Sequence, residues 1–377
     1  MQVIDYDYTI IGAGCSGWQL AHAMMQHNVL RAKKIAICDL GIKLHRSWCF
    51  WSEDDSIFPN LVKKSWSSLY FAAPNFETTQ HLNNYTYNYI SGDSFFKYFN
   101  SDFLKNHPNI SLLKAEVKTV DKVGEKFKIN FSEGNAITSE LVFDSRRSEK
   151  LSGADTIHLW QHFRGWFIET PTDCFDDNVV SLMDFTIAQG KEVRFMYVLP
   201  FSKRKALVEF TVFSDAVFEN KIYDDGIKLY LKEKLKILNF KIIESENGAI
   251  PMTNFKFSKS VETNFINIGT NSGAVKPSTG YAFKRIHADS KLIAQSLSDS
   301  QNLKRFKSPK KFIFYDTILL RILDKEPYRG AEIFKVLFKK NSIGAIIRFL
   351  DEKTSLLEDI SILSSLPWYP FLKHLRR

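Results

Sequence analysis

Gly12-Ala13-Gly14-Cys15-Ser16-Gly17 follows the apolar run Tyr8-Thr9-Ile10-Ile11 without a break and leads into a helix-compatible run from Trp18 to about Gln26. A strand, a glycine loop and a helix in that order make a phosphate cradle: Gly12 turns the chain, Gly14 lets backbone approach a pyrophosphate, and Gly17 lets helix pack on strand. The helix start faces the phosphates with unpaired N–H groups and the positive end of its dipole. A second apolar run, Lys34-Ile35-Ala36-Ile37-Cys38, ends at Asp39, where a carboxylate accepts hydrogen bonds from an unphosphorylated adenosine ribose. The pattern predicts dinucleotide binding by Gly12, Ala13, Gly14, Gly17 and Asp39; spacing alone does not separate FAD from NAD.

A second turn, Lys276-Pro277-Ser278-Thr279-Gly280, leads toward a helical run from about Tyr281 to Ser296. Pro277, Thr279 and Gly280 would then stand at a helix start that offers N–H donors to a flavin or a phosphate, the alternative being a plain Pro-Gly turn. The acid–base candidates are carboxylates. If Ala206 to Phe213 is a strand, Glu209 shares a face with Leu207, Thr211 and Phe213, and the opposite face is wholly apolar. Glu209 points either into a cavity, where desolvation favours the neutral acid, or into water as an ordinary surface carboxylate; the residues leave both open. Asp184, on a neighbouring strand, is either a helper in proton handling or a strand-end acid.

The elements that must position these groups follow in order. Ser94 to Lys105 has helical spacing, Ile110 to Val120 reads as a strand, and Phe127 to Phe131 with Glu140 to Phe143 reads as a hairpin. Composition turns strand-rich and aromatic from Leu159 to Phe213, which suggests an antiparallel sheet. Asp224 to Lys236 is a helix candidate, Phe265 to Gly269 returns as a strand to a glycine turn, and amphipathic helices follow Arg329. An N-terminal fingerprint followed by a long mixed chain resembles flavoproteins of the glutathione-reductase and hydroxylase type. The fold expected is α/β: a Rossmann-like FAD-binding domain with an inserted antiparallel β-sheet substrate domain and C-terminal helices. Its parts are 1–90 and 91–150 for the first domain, 151–260 for the sheet, 261–300 for the return and 301–377 for the helical end.

A chain of 377 residues, 44% hydrophobic, buries a substantial core. Fifty-one basic against 42 acidic residues give a net charge of +9, which permits attraction to anionic lipid or nucleic acid; scattered basic residues without a nucleic-acid-binding motif favour lipid. Cys15, Cys38, Cys49 and Cys174 lie far apart without a CxxC pair, so neither a disulfide framework nor a metal site is expected. The acidic start, Met1-Gln2-Val3-Ile4-Asp5, speaks against export, and no window reaches the roughly 18 consecutive apolar residues of a spanning helix. The setting expected is cytoplasmic with peripheral membrane contact, the basic amphipathic tail or Trp368-Tyr369-Pro370-Phe371 followed by Lys373, Arg376 and Arg377 lying at the interface.

Several stretches in order resemble the bacterial lycopene β-cyclases: HRSWCFW (45–51), WQHFRGWFIET (160–170), MDFTIAQ (183–189), FMYVLPFS (195–202), LVEFT (207–211), GAIPM (248–252) and IGTNSGAVKPSTGYAF (268–283). The resemblance implies FAD, held also by Arg46 and Gly269, and NAD(P)H as the reductant that keeps it reduced. It implies that Glu209 is the acid/base that closes the ψ-ends of lycopene to β-ionone rings without net redox change. Two departures stand out. The family's usual Asp-Arg-Thr-Trp is here His45-Arg46-Ser47-Trp48, so no role of that acid carries over, and Gly269 is followed by Thr270 where related hydroxylases carry Asp. Fourteen per cent aromatic residues suit a polyene tunnel, although core packing accounts for most of them. Competing expectations are an FAD-dependent monooxygenase or polyprenyl reductase, and a noncatalytic carotenoid-binding flavoprotein. Sequence leaves open the oligomeric state, the ring isomer and whether one or both ends close.

Overall fold

The computed structural model describes residues 3–41, 46–53, 57–146, 153 and 155–375. The apolar run near the N-terminus is the strand Ile4–Ile11, paired in parallel with Ile35–Asp39 on one side and Ala136–Asp144 on the other. Ile110–Lys114 and Phe265–Asn267 extend this parallel sheet outward. Lys126–Phe131 and Val117–Val123 add an antiparallel flap to Ala136–Asp144. The segment read as one strand from Ile110 to Val120 is thus two. Ala115 N–H bonds to the Asp39 carbonyl at 3.0 Å, the last rung on that side, and the chain then turns away to pair with Lys126–Phe131. The glycine loop leads into the helix Cys15–Met24, and Phe283–Ser298 packs beside it. Trp18, Phe95, Phe99 and Phe143 fill the core behind the sheet.

The second sheet has seven strands in the order Lys241–Thr253, His158–Glu169, Lys205–Ser214, Val193–Ser202, Val179–Asp184, Ser68–Ala73 and Phe76–His81. All its pairs are antiparallel except Val179–Asp184 with Ser68–Ala73. Residues 68–81, assigned on sequence to the first domain, therefore belong to this sheet. Between the two lies a small sheet of Ser47–Ser52, Thr86–Ser91 and Lys64–Trp66.

Alternation gives the seven-stranded sheet two different faces. Ala206, Val208, Phe210 and Val212 meet Tyr223, Ile227 and Tyr230 of the helix Asn220–Glu233. Leu207 and Phe213 face a larger core with Tyr87, Trp51 and the C-terminal helices. Those helices are tied to the second turn by buried charge: Lys276 Nζ lies 2.9 Å from Asp316 and 3.1 Å from Glu352, and Arg285 lies 2.8 Å from Glu352.

Candidate active site

Gly12 has φ +101°, and a Cβ placed on Gly17 would sit 2.0 Å from the Gly12 carbonyl oxygen, so the helix touches the loop where only glycine fits. Gly14 caps the helix with no side-chain hydrogen bond, and no acidic residue occupies the first turn. A Cβ on Gly14 would meet nothing within 4 Å, so the backbone there is open to close approach. Asp39, at the end of the neighbouring strand, accepts from the N–H of Ala13 at 2.8 Å and of Gly41 at 2.7 Å. Backbone open at Gly14, a helix start without a side-chain cap and a carboxylate beside them fit a dinucleotide pyrophosphate and ribose.

Arg46 acts on the Cys15 thiol, whose pKa burial pushes up to about 12 while Gln19 and Arg46 pull it down. The Arg46 carbonyl leaves no room for a side chain at Gly92: a Cβ there would lie 2.1 Å away. Gly269 brings the return loop to the cradle, since a Cβ on it would lie 2.5 Å from Ser16 Oγ.

The turn at Pro277 closes on itself: the Gly280 N–H donates to the Lys276 carbonyl at 2.9 Å. The helix beyond starts at Phe283, two residues later than the sequence suggested, and its first turn carries no side-chain cap. Gln19 of the cradle helix donates to the Phe283 carbonyl at 3.4 Å. Gly280 takes φ +72°, and a Cβ on it would lie 2.4 Å from Gln161 Oε1. Gln161 Oε1 and Thr279 Oγ1 are buried and have no hydrogen-bond partner among the described residues. Buried oxygens left without a partner beside this turn are atoms that a bound group could satisfy.

Glu209 is buried, 9% exposed, on the face that looks toward the small sheet and the Pro277 turn. Its Oε1 accepts from Thr211 Oγ1 at 2.9 Å. Burial, then the charge of Glu246, pushes its pKa up to about 8, against a smaller opposing pull from Thr211. Tyr197 stands directly opposite on the next strand, and Glu209 also acts on Cys49 and Tyr281. The hydroxyls of Tyr87 and Tyr281 are 3.2 Å apart, and Tyr281 also bonds Tyr197. Burial raises all three phenols, so none ionises near neutrality. A neutral carboxylic acid in an aromatic, water-poor surrounding can give a proton to an apolar partner.

A family model for lycopene cyclase protein matches residues 7–376. The chain belongs to this family. It is 27% identical over 211 residues to the chloroplastic neoxanthin synthases of Solanum tuberosum and Solanum lycopersicum, covering 50% of this chain and 40% of theirs. Solved structures share the fold at low identity. A geranylgeranyl bacteriochlorophyll reductase-like protein of Thermoplasma acidophilum is 11% identical with TM-score 0.60, covering 99% of this chain and 96% of that one. A flavoprotein/dehydrogenase of Cytophaga hutchinsonii is 12% identical with TM-score 0.62 and 98% of both chains covered. A Klebsiella pneumoniae HpxO variant complexed with FAD is 10% identical with TM-score 0.62, covering 92% and 98%.

Within this lycopene cyclase family chain, Asp184 does not join Glu209. It pairs with Met196 on the face turned to the helix Asn220–Glu233, where its Oδ2 accepts from Tyr230 at 2.7 Å. Its Oδ1 accepts from the N–H of Thr186 at 2.8 Å and from that residue's Oγ1 at 2.6 Å. The sheet separates the two carboxylates, and Asp184 stands at the end of the strand Val179–Asp184. The reading from sequence missed Glu246, which accepts from Ser47 Oγ at 2.9 and 3.1 Å and lines, with Arg46, a cavity of about 400 Å³. In sequence Glu244-Ser245-Glu246-Asn247-Gly248 looks like a solvated loop; only pairing with His158–Glu169 makes it a strand. His45, where the family pattern departs, lies outside the described residues.

Proposed function

We propose that this chain is a flavin-dependent lycopene β-cyclase, an intramolecular lyase or isomerase that closes the ψ-ends of lycopene and related carotenoids to β-ionone rings. The observation that carries this reading is Glu209, buried beside tyrosines on the sheet face turned toward the Pro277 turn, where burial and the neighbouring Glu246 raise its proton affinity. The protonated carboxyl of Glu209 gives its proton to a terminal C=C bond. The neighbouring alkene attacks the resulting carbocation, and a ring proton is lost to a base in the same pocket. No electron is gained or lost overall.

FAD would be held by Gly12, Ala13, Gly14, Gly17 and Asp39, by Arg46 and Gly269 beside the cradle, and by Pro277, Thr279 and Gly280. Its reduced, anionic form would supply negative charge beside the developing cation, with NAD(P)H needed only to reduce it. The chain's own part is to exclude water with Tyr197, Tyr281 and the surrounding core, and to hold the proton at Glu209.

The test is expression in a lycopene-making host beside Glu209→Gln. The wild type is expected to yield β-ended pigment, and the variant to bind FAD and accumulate lycopene. If the variant still forms rings, the acid lies elsewhere. The likeness to a reductase-like structure favours a second reading, a polyprenyl reductase or monooxygenase. That reading requires stoichiometric NAD(P)H consumption; ring formation with solvent deuterium incorporated and no NAD(P)H consumed excludes it. A noncatalytic carotenoid carrier would give no cyclic pigment at all.

No described helix is long and apolar enough to cross a membrane. Lycopene resides in bilayers, so peripheral lipid contact in the cytoplasm is part of this proposal.

A further inference from the structure

The strand His158–Glu169 lies between the strands that carry Glu209 and Glu246. Its Gly165 stands opposite Glu209 on one side and opposite Glu246 on the other. Directly paired residues of an antiparallel sheet project to the same face. Tyr197, Glu209, Gly165 and Glu246 therefore form one row across four strands, and the member between the two carboxylates has no side chain. Strands spaced by about 4.8 Å put the two Glu backbones roughly 10 Å apart, a gap that two side chains leaning over a glycine can close. Both carboxyls are buried, 9% and 6% exposed.

Their surroundings differ. Burial raises the proton affinity of Glu209 most, the charge of Glu246 raises it further and Thr211 lowers it; Tyr197, Tyr281 and Cys49 sense its charge in turn. Glu246 accepts from Ser47 and acts on Tyr89 and Cys49. Its cavity brings Arg46, Lys63, Asp93 and Glu244 to the same side.

We infer that Glu209 and Glu246 hold one proton between them, with Glu246 acting as the positioning carboxylate that keeps Glu209 in its acid form. This rests on the proposed cyclisation and adds a second carboxylate to it. Two adjacent buried carboxyls resist losing both protons, so the last proton is held to higher pH than either alone would hold it. In the first step the Glu209 O–H bond breaks and the terminal π pair forms a C–H bond, which leaves a carbocation facing two carboxylates. The dianionic pair complements the cation and is a stronger base than a lone carboxylate. When a ring C–H bond breaks, its electron pair becomes the ring double bond and the proton returns to the pair, so protons balance.

The experiment uses FAD-loaded full-length protein, reduced, with lycopene in phospholipid vesicles. Ring formation is followed against pH for wild type, Glu246→Gln and Glu246→Asp. In parallel, the infrared band of protonated carboxyl is titrated without substrate, with Glu209→Gln identifying its owner. The expectation for Glu246→Gln is that the alkaline limb and the carboxyl band both move down by about one pH unit or more, with the flavin spectrum unchanged. Glu246→Asp should recover most of the shift. An alkaline limb and band that stay put in Glu246→Gln overturn the pairing. A Glu246→Asp protein that titrates like Glu246→Gln overturns it as well. A wild type that forms no ring defeats the proposed function instead, and the infrared titration still decides the pair.

Discussion

A Cβ on Gly165 would stand 3.2 Å from the Cβ of Glu209 and 2.7 Å from Leu207 Cδ1, so the glycine is what lets Glu209 keep its place on the sheet. Gly165→Ala puts a methyl group into that contact. Overpacking of this kind costs roughly 1–3 kcal/mol; Leu207 Cδ1 must give way, and the methyl also presses on Glu209 Cβ at 3.2 Å and Cγ at 3.4 Å. The expected outcome is a folded, FAD-binding protein with a modestly lower melting temperature and ring formation reduced by roughly tenfold or more, the rate cost of a misplaced reacting group. Thermal unfolding and pigment analysis together check it; unaltered ring formation would mean that the side chain need not lie where it does.

Glu209 also leaves a mark on stability. In the unfolded chain its carboxyl ionises at about 4.5, and in the folded protein only at about 8. Between those values the unfolded state sheds a proton that the folded state must keep, so stability falls as pH rises through the window and levels off above it. Glu209→Gln removes the ionisable group. The variant should match wild type below pH 4.5 and become more stable as pH climbs to 8, by on the order of 2–4 kcal/mol. Urea unfolding across that range measures the gap, and parallel curves for the two proteins would place Glu209 in a solvated setting.

Asp184→Asn tests the assignment of the proposed proton transfer to Glu209 and not to Asp184. The change leaves the volume intact and weakens acceptance from Tyr230 and Thr186, a loss of about 1–3 kcal/mol for hydrogen bonds to a buried charge. Melting temperature should drop while the product per folded molecule stays at the wild-type level. A loss of ring formation in well-folded Asp184→Asn would return this residue to the reaction.

The contrast between these two acids marks what the sequence could carry. The cradle was legible because every part of it is local: a strand, Gly12, Gly14, Gly17 and Asp39 within one supersecondary unit. The face of Glu209 was legible as an alternation, but whether that face was wet or dry depended on strands more than a hundred residues away, Ser47–Ser52 and Thr86–Ser91. Glu246 was not legible at all. Five residues from Lys241 to Ser245 are exposed, so the strand shows no apolar alternation, and its one buried carboxylate gains meaning only from its register against Gly165. The strands at 68–81 were missed for a related reason: Phe76–His81 is an edge strand, Phe-Glu-Thr-Thr-Gln-His, whose pairing partner defines it more than its composition does.

The C-terminal helices carry the remaining prediction. Leu357 is 80% exposed and Trp368 69%, with Leu356, Ile360, Tyr369 and Leu372 also exposed on the helices Leu356–Ser365 and Trp368–Lys373. Exposed apolar side chains grouped on short helices, with Trp and Tyr among them and a chain charge of +9, have the composition of a surface that enters lipid headgroups. Arg376 and Arg377 lie outside the described residues. The protein should cosediment with anionic phospholipid vesicles and largely remain bound when salt is raised, because apolar insertion is not screened. Leu357→Asp with Trp368→Asp should lower the bound fraction by roughly tenfold or more, since each replaces buried hydrocarbon by a charge at the interface. Neither residue packs in the core, so melting temperature should hold, and ring formation from detergent-dispersed lycopene should persist while that from vesicle-borne lycopene falls. Equal binding by the double variant would move the lipid contact to another face of the protein.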